Sequence, residues 1–195
     1  MFWFGLFTSA LAFAALLLAL GLTIHALATK REASFSTAQK AARVSFLFHT
    51  LALVALLVLQ LQEDYSIAYV ASVINPVMPL SLKLTALWGG MAGSLFFWGW
   101  VVNLCLFIAL SLRAKLLDPW ALLIVLLNAV FFVGLSFLLE NPFSRLWELT
   151  DGTIDTALFA PAADAVLYRL DVGFGLNPLL RHPGMIIHPP VLYGG

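Results

Sequence analysis

The sequence predicts an all-α integral membrane protein with four transmembrane helices and a long periplasmic segment. Three observations carry that reading. Of 195 residues, 62% are hydrophobic and 10% charged, where soluble domains carry roughly one-quarter charged residues; mean hydropathy is +0.99. Four runs lack Asp, Glu, Lys and Arg over lengths that cross a bilayer. Prolines and acids gather outside those runs.

The first span covers 2–28, since about 20 apolar residues at 1.5 Å rise cross a ~30 Å hydrocarbon core. No basic residue precedes it, which argues against a cleaved signal peptide. The second span is predicted over 44–62, after the polar stretch 29–43, and ends at Glu63-Asp64, where two adjacent charges are costly in lipid. The third covers 84–112, followed by Arg113 and Lys115. The fourth covers 119–139; Pro119 starts it, where a missing N–H costs nothing, and Glu140-Asn141-Pro142 closes it. Residues 1–139 thus form a four-helix transmembrane region. Residues 140–195, with six acids and three arginines, lie outside the lipid.

Orientation follows from Lys30, Arg31, Lys40, Arg43, Arg113 and Lys115, six of the ten basic residues, which fall in the first and third connections. Cytoplasmic loops hold such an excess. The N-terminus, the 63–83 loop and residues 140–195 are therefore expected in the periplasm, the chain being multi-pass in a bacterial inner membrane and in contact with lipid. Zero net charge gives no positive field for a nucleic-acid backbone, so nucleic acid is not an expected partner. A single cysteine, Cys105, excludes a disulfide framework and a thiolate metal cage.

Four histidines are candidates for chemistry. His25 and His49 lie within the first two spans; they either pair on facing helices to ligate haem or accept a proton, or are bonded locally or snorkel to the interface. His182 and His188 each precede a proline, which biases them to extended backbone. His188, between Ile186-Ile187 and Val191-Leu192-Tyr193, reads either as an iron ligand at the bilayer rim or as part of a turn re-entering the membrane. Gly89 and Gly93 read as a small-xxx-small helix-packing pair. Trp3, Trp88, Trp120 and Trp147 fit an interfacial belt, whereas Trp98 and Trp100 sit deeper, where an indole N–H calls for an acceptor or a cofactor edge. No acid–base dyad, Walker loop, nucleophile elbow or internal repeat is present, so no catalytic residue is assigned.

Three stretches, Asp64-Tyr-Ser-Ile-Ala-Tyr-Val-Ala-Ser72, Trp88-Gly-Gly-Met-Ala-Gly-Ser94, and Asn141-Pro-Phe with Leu176-Asn-Pro-Leu-Leu180 and His188-Pro-Pro-Val-Leu-Tyr193, resemble the N-terminal third of the CcmF-type cytochrome c haem lyases. The resemblance spans roughly residues 40 to 193. It implies that His188 is an axial ligand of haem b, with Trp88, Trp98, Pro189, Pro190 and Tyr193 as haem surroundings. It further implies that haem comes from the carrier CcmE and is attached to CxxCH of apocytochrome c, presented by CcmH/CcmI-type proteins. The tryptophan-rich signature, the second outer axial histidine and the transmembrane b-haem histidines of the family lie beyond the matched stretch, so the resemblance implies either a fragment or a split subunit of such a lyase. Two departures stand out: Met91-Ala92 replaces a polar residue and a glutamate, and His182 replaces an aspartate. A non-enzymatic docking subunit and a transporter half are the competing readings; a transporter is expected to repeat its span set.

Overall fold

A computed structural model describes residues 1–113, 118–182, 184 and 191. Four long helices, α1 (Phe2–Thr29), α2 (Glu32–Leu61), α5 (Met91–Arg113) and α6 (Pro119–Leu138), form a ring in which α1 packs on α2 and α6, and α5 packs on the same two. Each is long and apolar enough to cross a membrane. Their polarity is inverted relative to a soluble bundle: Thr8, Ser9, Thr23, Ser45, His49, Asn103 and Ser136 are buried, while Leu18, Ile24, Leu47, Val54, Ile108, Ile124 and Phe131 are exposed. Lipid solvates those apolar faces, and small residues let helices approach. Along α1 the buried face reads Gly5, Ser9, Ala12, Leu16, Ala19, Thr23 and Ala26. It meets Ala38, Ala41, Ala42, Ser45, Ala52 and Ala55 of α2, and Ser45 Oγ donates to the Ala12 carbonyl at 2.9 Å.

The helix ends differ from the sequence expectation in two places. The second helix begins at Glu32, not 44, because Lys30 adopts left-handed backbone (φ 54°) and turns the chain at once. The polar stretch then consists largely of good helix formers, with Glu32 in the first turn where the helix dipole favours an acid. At 30 residues the helix is about 45 Å long, and its first turns extend past a ~30 Å hydrocarbon core. Arg43 does not lie in a loop; its Nη2 donates to the Leu110 carbonyl in the last turn of α5 at 2.7 Å. The third long helix begins at Met91, not 84. Residues before it form α3 (Ala68–Val73), α4 (Leu80–Thr85) and a 3₁₀ turn (Ala86–Trp88), and Gly89-Gly90 separates them from α5.

After α6 the chain forms a small antiparallel sheet that the composition did not reveal: β1 (Arg145–Glu148) lies between β2 (Ile154–Ala157) and β3 (Val166–Leu167). Trp147 pairs with Asp155 on one side and Leu167 on the other. Its indole donates to the Ala157 carbonyl at the end of β2 at 3.0 Å. The strands are short and mostly exposed, which is why their pattern is weak in the sequence. The N-terminus, residues 62–90 and the sheet are gathered at one end of the bundle. There the Arg145 guanidinium lies 3.6 Å from the Phe2 ring centroid, in cation–π range, and residue 67 bridges to 145. One apolar core lies at this capped end, around Leu56, Ile67, Val70, Ile74 and Phe143. The other, around Leu16, Ala42, Leu110 and Leu126, lies towards the opposite, basic end.

Candidate functional site

The capped end is assembled by the stretches that stood out in the sequence. After α2, Glu63 takes left-handed backbone (φ 55°), and Asp64 Oδ1 accepts from the Ser66 hydroxyl at 2.7 Å and its amide at 3.3 Å. Residues 66 and 68 then pair with the strand region, Leu146 N–H to Ser66 O at 3.0 Å and Ala68 N–H to Ser144 O at 2.8 Å. Buried Tyr69 reaches across to the 3₁₀ turn, where its hydroxyl donates to the carbonyls of Ala86 (2.7 Å) and Leu87 (3.0 Å). Burial pushes the Tyr69 hydroxyl well above its usual pKa, so it remains a donor at any physiological pH.

Gly89 and Gly93 are explained by this cap and not by helix–helix packing. A Cβ at Gly93 would overlap the Tyr69 hydroxyl and the Leu87 carbonyl oxygen, and one at Gly89 would overlap Leu176. Leu176, 3% exposed, belongs to a strap that returns from the sheet. Phe174 N–H donates to Ala71 O at 2.8 Å, Asn75 Nδ2 to Gly173 O at 2.8 Å, and Gly173 leaves no room for a side chain against Ile74 O and Tyr65. Asn177 then caps the 3₁₀ turn Pro178–Arg181, accepting from Leu179 N–H at 3.0 Å. Asn141 ends α6, its Nδ2 donating to Phe137 O at 2.9 Å and its Oδ1 accepting from Phe143 N–H at 3.0 Å. Phe143 fills the space above Gly5 and meets Phe96 edge-on at 5.9 Å.

One ion pair braces the cap: Lys83 Nζ lies 2.6 Å from Glu63 Oε1, and Tyr65 donates to Oε2 at 3.2 Å. The hydrogen bond from Lys83 holds the Glu63 carboxyl below its usual pKa; burial opposes it, and the Tyr65 hydrogen bond and the Lys83 charge add to the lowering. A depressed carboxylate contributes stability that is complete above its unfolded pKa of about 4.3 and lost as pH falls through the folded value. Wild type is therefore expected to lose more stability between pH 6 and 3 than Glu63→Gln. Equal losses in thermal melts would count against the pair.

A pocket of about 440 Å³ opens between α3, the start of α5 and the sheet, lined by Tyr69, Ser72, Met91, Glu140, Asn141 and Thr156 among others. Met91 and Ala92, where the sequence departs from the resembling family, lie on its wall. Trp88 stacks obliquely on Phe97 at 5.1 Å at this end of α5, whereas Trp98 stacks on Phe132 of α6 at 4.4 Å. The two indoles belong to different aromatic clusters. Trp100 finds its acceptor in Thr50 Oγ1 at 3.0 Å. Of the histidines, His25 pairs with Ser34 Oγ at 3.0 Å near the basic end and His49 is buried beside Asn103 at 3.1 Å, so the two do not share a site. His182 is exposed and its Nδ1 accepts from Gly184 N–H at 3.2 Å. His188, Pro189, Pro190 and Tyr193 lie outside the described residues. Gly173 and Arg145 carry no local signal in the sequence, and only the fold brings their partners together.

Fold and site together define a multi-pass α-helical membrane protein closed at one end by a packed cap of short helices, strands and straps. No protein-family model matches the chain. It is 34% identical over 165 residues to the cytochrome c-type biogenesis protein CcmF of Pseudomonas aeruginosa, a match covering 82% of this chain and 22% of that protein. It is 34% identical over 140 residues to CcmF of Escherichia coli, covering 68% of this chain and 18% of that protein. A solved structure of the cytochrome c haem lyase CcmF superposes with a TM-score of 0.65 at 30% identity, over 73% of this chain and 24% of that one. The chain belongs to the CcmF-type family of cytochrome c biogenesis proteins. It spans about a fifth of the length of the curated relatives it matches.

Proposed function

We propose that this chain is part of a cytochrome c haem lyase of a bacterial inner membrane, with its capped end in the periplasm. In this reading it takes part in receiving haem b from the carrier CcmE and attaching it to CxxCH of apocytochrome c held by CcmH/CcmI-type proteins. His188 serves as one axial ligand. When bound, haem supplies the iron centre and the vinyl groups that become thioethers with the cysteines. The observation that carries the reading is the strap: residues 173–181 are tied to Ala71 of α3, to Asn75 and to Gly89, so the run leading into His188 departs from a fixed platform at the capped end.

A haem iron takes a neutral imidazole, and His182 is poorly suited, because an imidazole whose Nδ1 accepts a hydrogen bond carries its proton on Nε2 and has no free lone pair. The family resemblance assigns the ligand role to His188 of His188-Pro-Pro-Val-Leu-Tyr193. Trp88, at the start of α5, together with Pro189, Pro190 and Tyr193, would supply apolar surroundings; Trp98, stacked on α6, would act more remotely.

Two experiments test this. In the purified full complex, His188→Ala is expected to lose the Soret absorbance of the externally bound haem and to stop c-type cytochrome maturation; unchanged haem occupancy and maturation would remove His188 as a ligand. For orientation, a reporter active only in the cytoplasm is expected to work when fused after Lys40 and to be silent after Asp164. Activity after Asp164 would invert the topology.

A further inference from the structure

Between α1, α2, α5 and α6 lies a cavity of about 10 Å³, lined by Ser9, His49, Phe96, Val133, Ser136 and Asn141 among others. His49 and Ser136 are each 1% exposed, and neither His49 Nε2 nor Ser136 Oγ has a hydrogen-bond partner. On its other edge His49 Nδ1 lies 3.1 Å from Asn103 Nδ2. With that amide donating to Nδ1, the imidazole proton sits on Nε2, where the Phe96 backbone is close by but no acceptor among the described residues meets hydrogen-bond geometry. In a bundle surrounded by lipid no solvent reaches such groups sideways, and an unmade hydrogen bond there is expensive. A single water needs about 10–15 Å³ of such space and two to four polar partners. The cavity matches on both counts, and it is far too small for a macrocycle.

The position of Asn141 gives the cavity a direction. This residue also lines the larger open pocket at the capped end, so it borders both spaces. Ser136 lies in the last turn of α6, two residues before its end. No Asp, Glu, Lys, Arg or second His lines the cavity, so among the described residues His49 is its one titratable group.

We propose that one water molecule is bound between His49 Nε2 and Ser136 Oγ and exchanges past Asn141 with solvent at the capped end, so that His49 trades its imidazole proton with that side of the membrane. The site is a proton-exchange site inside the bundle, separate from the strap that leads to His188.

The test uses the full chain in lipid bilayers with ¹⁵N-labelled histidine, the His49 signal being assigned by its loss in His49→Gln. After transfer to D₂O the His49 N–H is expected to exchange within minutes, and Ser136→Val, which fills the cavity and removes a partner of the water, is expected to slow it at least tenfold. A wild-type N–H protected for days overturns the proposal, as does an unaltered rate in Ser136→Val. Should the valine variant not fold, Ser136→Ala decides the matter: slowed exchange supports the water site and unchanged exchange overturns it.

Discussion

Replacement of Gly93 by valine is expected to leave no folded protein, and replacement by alanine to destabilise it by about 3 kcal/mol, at the upper end of overpacking costs. The position lies in the first turn of α5, and any Cβ there would overlap both the Tyr69 hydroxyl and the Leu87 carbonyl oxygen. Neither can simply retreat. Leu87 O belongs to a tight 3₁₀ turn, and the Tyr69 hydroxyl is held by two carbonyls at 2.7 and 3.0 Å. Displacing Tyr69 would break those bonds inside a buried environment, which adds about 1–3 kcal/mol for polar groups left unmatched. A valine adds two further methyl groups to the same clash. The measurement is thermal unfolding in detergent, alongside Tyr69→Phe, which loses the hydroxyl but keeps the ring. Tyr69→Phe is expected to cost about 1–3 kcal/mol. A Gly93→Ala protein that melts with wild type would show that the tyrosine does not approach α5 as described.

Truncating Phe143 to alanine is the second large effect, about 3–5 kcal/mol, the range for emptying a fully buried aromatic site. Phe143 is 0% exposed, fills the space that Gly5 leaves open on α1, meets Phe96 of α5 and shares a core with Ala55 of α2. Helices from distant parts of the chain therefore meet on one ring. Because Gly5 and Phe143 are complementary, Gly5→Leu in the wild-type background is expected to destabilise strongly, and to do so less when Phe143 is already alanine. A double-mutant cycle reads this coupling; additive effects would mean that the two sites do not touch.

How much of this was legible in advance depends on the physical signal each feature leaves. The four spans announce themselves because lipid forbids charge over about 20 residues, and that constraint is local. The end of α6 at Leu138, just before Glu140-Asn141-Pro142, was readable for the same reason. The start of α2 was not, since residues 32–43 are polar yet helical: polarity marks where the lipid stops, and the helix continues past it. The start of α5 was misplaced because apolar residues 84–88 look like lipid-facing helix but pack in a turn beneath Tyr69. The sheet at 145–167 buries little on either face and leaves no alternation to find.

The chemistry-bearing stretches divide in the same way. Tyr69, Gly89, Gly93, Asn141, Phe143 and Leu176 drew attention as a pattern with a resemblance, and a pattern carries no statement of what each residue touches. In the fold they are the parts of one scaffold, and the orphaned Nε2 of His49 with the Ser136 hydroxyl forms a feature that no local stretch contains.

By itself the sequence determined that the chain resides in a membrane, how many times it crosses, and at which ends of the spans the basic charge gathers, because transfer of charge and apolar surface between water and lipid depends on composition along a short segment. Only the tertiary structure decided what the glycines accommodate, which carbonyls Tyr69 holds, and where polar atoms face one another inside the bundle. Those depend on close packing between segments as far apart as Gly5 and Phe143, or Asn75 and Gly173, and contacts of that range are set by the shape of the whole fold.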